Sequence, residues 1–143
     1  MTVVEPVLDH AAAERARLVN KNRAELLRSG KAVDLELLAR SREKSLDAVR
    51  QWVRRHRRTD ELVYVLHNGA TYVPTFQLDE AFDLDHTVTP FVSALLSRGF
   101  TDWAVWTWFE STSSWLDGRT PASALRAGDT HRVERALAGL LQE

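Results

Sequence analysis

The 143-residue chain has 19 Lys and Arg against 20 Asp and Glu, a net charge of −1, and it contains no cysteine. The missing cysteine excludes disulfides and thiolate metal sites, and a hydrophobic content of 44% is ordinary for a folded domain. No apolar run approaches the roughly 20 residues of a membrane span, and the first ten residues lack the pattern of a signal peptide. We therefore expect a soluble, cytoplasmic protein.

The near-neutral total hides an uneven distribution of charge along the chain. Residues 15–58 carry 14 Lys and Arg against 5 Asp and Glu, a net of +9. Residues 59–143 carry 5 against 12, a net of −7, and the first 14 residues add −3. The basic part ends in the run RQWVRRHRR, Arg50–Arg58. A basic run at the end of a helix favours the phosphate backbone of DNA as its partner, and the acidic part predicts a different role.

Three helices are predicted in the basic part. Residues 1–7 read as a short extended tail, and a first helix follows from Asp9 to about Ser29, with Gly30 as its stop. Its apolar stripe is interrupted by polar residues, which predicts that it packs weakly or lies across a partner subunit. A second helix is predicted at about Val33–Arg40. The third begins after Ser45, a favourable N-cap, and continues to about Arg57.

The second and third helices have the spacing of a helix-turn-helix. Ala39 is the small residue expected where the helices meet, and Val49 and Trp52 are spaced to pack the third helix inward. The turn usually holds a glycine near position 43, where φ is positive, but this chain has Glu43. We therefore expect a turn that is longer or differently shaped.

The outward face of the third helix is the predicted DNA-reading surface. Arg50, Gln51 and Arg54 are placed to read base edges, where a good bidentate pair contributes about 1–3 kcal/mol of discrimination. The later arginines are expected to contact phosphates. Two other interpretations stay open, a solvated helix face and a peptide- or RNA-binding face. The predicted DNA-binding residues are Ser45, Arg50, Gln51, Arg54, Arg55, Arg57 and Arg58.

A β-hairpin is predicted directly after the third helix. Two β-rich runs, Leu62–Leu66 and Ala70–Val73, flank His67-Asn68-Gly69, and Asn-Gly is typical of a tight hairpin turn. A hairpin in this position is typical of a wing. Residues 77–88 are acidic with weak periodicity and read as a linker.

The remaining chain is predicted to be helical. Trp103 and Trp106 have the spacing of a core face, whereas Trp108 and Trp115 are less easily buried and are candidates for a partner surface. The predicted fold is mainly α with a small β-hairpin, a winged helix-turn-helix (residues 1–76, wing 62–73), the linker and an all-helical domain at 89–143. The four predicted helix starts are Thr89 or Pro90, Thr101, Thr120-Pro121, and Asp129 or Thr130.

The segment WFESTSSWLDGRTPASALRAGDTHRVERAL resembles the toxin-binding domain of the Xre/MbcA/ParS family of antitoxins. The resemblance covers about residues 89–142, although that family usually carries an all-helical N-terminal module, without the hairpin expected here. The matching residues are Trp108, Leu116, Gly118, Thr120, Pro121, Leu125, Gly128, Val133 and Ala136.

The resemblance implies an antitoxin that blocks a cognate toxin, typically a RES-domain enzyme that attacks NAD, and that forms a homodimer and represses its own operon. The alternative is a DNA-binding regulator or partition-type adaptor whose C-terminal domain self-associates. The candidate partner-binding residues are Trp108, Trp115, Leu116, Arg119, Leu140 and Leu141, with Glu143 at the end of the last helix.

An enzymatic role is not expected from this sequence. The five histidines have no metal-ligand spacing, and the carboxylates between Asp79 and Asp85 lack the glycine and spacing of a calcium loop. The sequence has no glycine-rich phosphate loop, and its serines have no plausible base nearby. We therefore expect neither a cofactor nor a metal.

Overall fold

The computed structural model describes residues 5–142, with side chains described at residue 13 and from residue 17 onward. This part of the chain is mainly helical with a small antiparallel sheet, and it divides into two compact units, one up to Lys31 and one from Ala32 onward. Two 3-10 turns lie at Thr75–Gln77 and Ser114–Leu116. The elements are α1 (Glu5–Arg28), β1 (Ala32–Asp34), α2 (Leu35–Arg42), α3 (Leu46–Arg58), β2 (Val65–His67), β3 (Ala70–Pro74), α4 (Thr89–Ser97), α5 (Asp102–Phe109), α6 (Pro121–Arg126) and α7 (Thr130–Leu141).

Two predictions about the N-terminal elements are wrong. Helix α1 begins at Glu5, so residues 5–7 are helical rather than extended, and residues 1–4 lie outside the described part. A proline as second residue suits a helix start, because its missing N–H would have no intrahelical partner there. Residues 32–34 form β1 instead of opening the second helix. Helix α2 starts at Leu35, directly after β1. The Asp34 carboxylate caps it by accepting a hydrogen bond from the Leu37 N–H at 2.8 Å.

The sheet has the strand order β1-β3-β2, and both strand pairs are antiparallel. The predicted hairpin forms between β2 and β3, where Asn68 and Gly69 have φ values of 50° and 78°. Two successive residues with positive φ suit the right-handed twist of a hairpin, which is why Asn-Gly is favoured at this turn. The remaining strand of the sheet, β1, is only three residues long, and no strand was predicted at its position.

The turn between α2 and α3 is short, contrary to the expectation from Glu43. Glu43 itself adopts the left-handed conformation, with φ 56° and ψ 44°, and its N–H is directed at the Ala39 and Arg40 carbonyls. Ser45 then caps α3 by accepting a hydrogen bond from the Ala48 N–H at 3.1 Å. A glutamate therefore takes the position that a glycine usually fills, and the expected spacing of the two helices is retained.

Replacing Glu43 with glycine is expected to raise the free energy of unfolding by about 0.5–1 kcal/mol. Glycine removes the Cβ repulsion of a left-handed residue, about 1–2 kcal/mol, and this gain exceeds the backbone entropy that glycine loses on folding. Chemical denaturation of Glu43→Gly measures the change. Glu43→Ala is the control for the lost charge, and a gain of the same size in that variant would contradict the explanation.

The segment predicted as a linker, residues 77–88, is packed against the rest of the second unit. Leu84 joins the core formed by the sheet and helices α2 and α3, and Val88 is buried as well. The mostly buried Arg42 holds the segment in place, donating to the Phe82 carbonyl at 2.7 Å and lying 3.5 Å from the Asp83 carboxylate. The functional division on either side of this segment stays a prediction, because compactness does not show what each part binds.

The four predicted helices of the C-terminal part are confirmed, and two of them begin with the predicted side-chain caps. The Thr101 hydroxyl accepts from the Ala104 N–H at the start of α5, and the Thr120 hydroxyl accepts from the Ser123 N–H at the start of α6. Trp106 is fully buried, as predicted, and Trp103 is half-buried and stacks on it. The core continues towards the sheet through Phe109, whose ring stacks on Phe76 with centroids 4.2 Å apart.

Candidate nucleic-acid interface

Helix α3 has one buried face and one strongly basic face. Val49, Trp52 and Val53 are buried, and their spacing at i, i+3 and i+4 explains why the helix docks in one orientation. Most of the remaining positions face outward because the side chains of a helix repeat every 3.6 residues, although Leu46, His56 and Arg57 are half-buried. The exposed residues on the outward face include Arg50, Gln51, Arg54, Arg55 and Arg58.

Most of the charge on this face is not neutralised within the chain. Among the described residues, the side chains of Arg54, Arg55 and Arg58 form no ion pair or hydrogen bond. Arg50 lies 3.5 Å from Asp47, and both side chains are well exposed, so this pair is weak. Guanidinium groups that remain available in this way are suited to bidentate contacts with phosphates or guanine.

A groove of about 620 Å³ runs beside the C-terminal half of α3. Arg54 also borders a second depression, of about 210 Å³, that extends to Leu66 and Thr71 on the hairpin. Tyr64 lines both depressions, as Arg54 does. The residues that line the larger groove are Gln51, Arg54, Arg55, Arg57, Arg58 and Tyr64.

Tyr64 is not among the site residues predicted from the sequence. The sequence gives only a partial signal for it, because Leu62, Val63 and Val65 are buried, Leu66 is 64% exposed, and Tyr64 is half-buried against the core of the sheet and helices α2 and α3. Side chains on an extended segment point alternately to opposite faces. Tyr64 therefore faces the same side as Leu66, towards the basic groove.

Arg57 differs from the other predicted DNA-binding arginines. Its guanidinium makes two hydrogen bonds to Asp102, Nε to Oδ2 at 3.0 Å and Nη2 to Oδ1 at 3.1 Å. A third bond joins Nη1 to Asp60 at 3.2 Å. The hydrogen bonds that Arg57 donates to Asp102 raise the pKa of Arg57 above its usual value. Because two carboxylates accept hydrogen bonds from this guanidinium, we infer that Arg57 stabilises the fold and does not contact phosphate.

Asp102 also accepts a hydrogen bond from the Tyr64 N–H at 3.1 Å. One carboxylate at the start of α5 thus fixes both the C-terminal end of α3 and the chain entering β2. The position of the basic face relative to the hairpin therefore depends on a residue of the C-terminal part.

Asp102→Ala is expected to lower the free energy of unfolding by about 2 kcal/mol, because it leaves the Tyr64 N–H and part of the Arg57 guanidinium without partners. Urea denaturation measures the change. Asp60→Asn weakens the more exposed ion pair of Arg57 and should lower the free energy of unfolding by less than about 1 kcal/mol. Equal losses in the two variants would show that Asp102 has no special role.

The hairpin tip is exposed beside this surface. The Asn68 amide lies 3.2 Å from the His67 imidazole Nε2, and neither residue is part of the core. Ser45, at the other end of α3, is exposed, and its hydroxyl serves as the helix cap. The exposed residues of the predicted DNA-binding set thus lie along one helix, with the hairpin next to its C-terminal half.

The candidate partner-binding residues do not form one exposed surface. Trp115 is 56% exposed, and its indole lies against α7 so closely that a Cβ added at Gly139 would be 2.9 Å from it. Leu116 is fully buried, so it belongs to the core and not to a partner surface. Arg119 is bound within the chain, to the Asp129 carboxylate at 2.7 Å and the Leu116 carbonyl at 3.1 Å.

The other members of this set are partly covered. Trp108 is half-buried, with its ring edge-on to Phe109, and Leu140 and Leu141 are half-buried on α7. Glu143 lies outside the described residues. Trp115 is therefore the candidate with the most exposed apolar surface.

The described side chains are those of residue 13 and residues 17–142. No cluster of three or more metal-ligating side chains is found there. None of the helices in this range combines the length and apolar character needed to cross a bilayer.

The chain has the architecture of a mainly helical protein with a small three-stranded antiparallel sheet. No protein-family model matches it, and no curated protein matches its sequence. Among solved structures, it is similar to the "NMR structure of Rv2175c", with a TM-score of 0.60 and 21% sequence identity. The match covers 75% of this chain and 79% of that one. At this level of identity the similarity supports a shared fold only.

Proposed function

We propose that the chain is a DNA-binding protein of the winged helix-turn-helix type, with α3 as the recognition helix and the β2–β3 hairpin as the wing. The observation that carries the proposal is the set of exposed guanidinium groups of Arg54, Arg55 and Arg58, which no carboxylate of the described residues neutralises. The order of α2, a short turn, α3 and the hairpin supports it. Duplex DNA supplies the dense negative charge that such a face would attract.

In this proposal the residues of α3 have different roles. Arg50, Gln51 and Arg54 lie in the outward face of α3 and read base edges in the major groove. Arg55 and Arg58, towards the C-terminal end, contact phosphates, and so does the hydroxyl of Tyr64. The protein acts by binding, as a transcription regulator, without catalysing a reaction.

The proposal is tested by selecting duplexes from a random-sequence pool with the purified chain. The binding of an enriched duplex and of a scrambled one is then measured by fluorescence anisotropy across a range of salt concentrations. We expect the enriched duplex to bind about 10³-fold more tightly or better, with affinity falling steeply as salt rises. If no duplex is enriched from the pool, or if both duplexes bind equally well, the proposal of sequence-specific DNA binding is contradicted.

A second candidate function is that of an antitoxin, and the exposed indole of Trp115 favours it. A large, partly rigid aromatic side chain at the surface is a common centre of protein–protein binding. The resemblance to the Xre/MbcA/ParS antitoxins points to the same region. The partner in this case is a cognate toxin, for example a RES-domain protein, and the acidic C-terminal part would favour the approach of a basic partner.

Trp115→Ala tests the second candidate. The product of the neighbouring gene is expressed together with the wild-type chain or with the Trp115→Ala variant. Growth and the amount of co-purified complex are measured in both cases. We expect Trp115→Ala to weaken the complex by about 2 kcal/mol, roughly 30-fold, and to leave DNA binding unchanged. Ser111→Ala, an exposed change nearby, is the control. If the product of the neighbouring gene is harmless and does not co-purify with the wild-type chain, the antitoxin function is contradicted. The DNA-binding regulator is then the function that remains.

A further inference from the structure

The hairpin beside α3 has an uncharged, partly apolar surface. Residues 59–97 contain no Lys or Arg, so the hairpin has no side chain of permanent positive charge that could pair with a phosphate. Leu66, in the middle of β2, is 64% exposed, and the neighbouring His67 and Asn68 are exposed as well. A hairpin with this surface offers an apolar contact and hydrogen-bonding groups to bases, instead of charge to the DNA backbone.

The position of Leu66 places it on the same surface as the base-reading arginines. Single exposed leucines are common on proteins, so the neighbours of Leu66 decide its role. Leu66 is paired with Thr71 in the antiparallel register, and directly opposite side chains project from the same face of a hairpin. Both residues line the depression of about 210 Å³ between the hairpin and α3. Arg50 and Arg54 line the same depression.

This combination of one exposed aliphatic side chain and two guanidinium groups fits a particular pair of bases in the major groove. Guanine presents the acceptors O6 and N7, which suit a guanidinium, and thymine presents a methyl group. The charge of Arg50 and Arg54 attracts the duplex to the depression. Contact of Leu66 with a polar base edge would remove water from that edge without replacing its hydrogen bonds, whereas contact with a methyl group removes apolar surface from water on both sides.

We propose that Leu66 is a specificity-determining residue that contacts the 5-methyl group of a thymine next to a guanine read by Arg50 or Arg54. The inference rests on the proposed DNA-binding function and adds to it a base preference that the arginines do not supply. In this role the hairpin reads sequence directly, together with the recognition helix.

Substitution of thymine by deoxyuridine tests the contact without changing the protein. Each thymine of the enriched duplex is replaced in turn, which removes the 5-methyl group and keeps the hydrogen-bonding edges. At one thymine per bound chain, the affinity of the wild type in fluorescence anisotropy should fall about fourfold, as expected for one apolar carbon lost from the contact. Leu66→Ala should bind the unmodified duplex at least about fourfold more weakly than the wild type, and replacing that thymine should then change its affinity less than about 1.5-fold.

Leu37→Ala is the matched control, because it makes the same change at a 40% exposed leucine of α2 that does not line the depression. It should keep the fourfold loss at the sensitive thymine. Leu66→Gln, which keeps the length of the side chain and removes its apolar end, repeats the test with a second variant. Circular dichroism shows whether the variants keep the wild-type fold.

The outcomes separate this inference from the DNA-binding proposal. If no thymine of the enriched duplex is sensitive with the wild type, or if the sensitivity persists in the Leu66 variants, the inference is overturned and sequence-specific DNA binding still stands. A loss of affinity in Leu66→Ala that is the same with and without the methyl group would show that Leu66 contacts the sugar, which also overturns it. If no duplex is enriched, the DNA-binding proposal fails, and the inference fails with it.

Discussion

The double variant Arg50→Ala/Arg54→Ala is expected to bind the enriched duplex at least about 30-fold more weakly than the wild type. Each bidentate contact to a base contributes about 1–3 kcal/mol of discrimination, and two such contacts are removed. Both side chains are exposed on α3, and Arg50 has only a weak contact to Asp47, so the fold should be unaffected. Anisotropy with the enriched and scrambled duplexes measures the loss, and most of the preference between them should disappear.

The variant Arg55→Ala/Arg58→Ala is the matched control for this prediction. It removes the same charge from the same helix, but at positions assigned to phosphates. Its affinity should fall for both duplexes alike, and the slope of log K against log salt should become less steep by about 2. If the two double variants have the same effect on the preference for the enriched duplex, the division of α3 into base-reading and phosphate-contacting residues is wrong.

Replacing Gln77 with leucine is expected to lower the free energy of unfolding by about 3 kcal/mol, more than the other single changes considered. Gln77 is 1% exposed, and its amide satisfies three backbone groups. Its Oε1 accepts from the Val63 N–H at 2.9 Å, and its Nε2 donates to the Val63 carbonyl at 2.7 Å and the Pro74 carbonyl at 3.1 Å. Leucine is similar in size but leaves these buried groups unpaired, and each buried polar group left unpaired costs about 1–3 kcal/mol.

Urea denaturation of Gln77→Leu measures the loss. Gln51→Leu makes the same chemical change on the exposed face of α3 and should shift the free energy of unfolding by less than about 0.5 kcal/mol. Val63 fully buries its side chain and lies two residues before β2, outside the strand pairing. The side chain of Gln77 therefore supplies the hydrogen bonds that a sheet partner would otherwise provide. A stable Gln77→Leu variant would mean that water or a shift of the backbone replaces them.

Features that depend on neighbouring residues could be predicted from the sequence. The caps at Ser45, Thr101 and Thr120 all form with the N–H three residues later, as local capping chemistry requires. The Asn68-Gly69 turn was predictable because few residue pairs accept two positive φ values. The outward face of α3 followed from helical spacing alone.

Features that depend on distant residues could not be predicted in the same way. Arg57 and Asp102 are 45 residues apart, and a basic run gives no sign that one of its members is bound within the chain. Leu84 lies in an acidic segment without periodicity, yet it enters the core of the sheet and helices. Glu43 shows a different limit, because a non-glycine residue can adopt the left-handed conformation when the surrounding helices hold it there.

The central claim, that α3 and the hairpin form the DNA interface, is tested most directly by NMR. The ¹⁵N-labelled chain is titrated with the enriched duplex, and the amide shifts are followed residue by residue. The largest changes are expected at residues 45–58 and 64–70, with small changes along α6 and α7. Changes concentrated at residues 101–141, or none on α3, would contradict it.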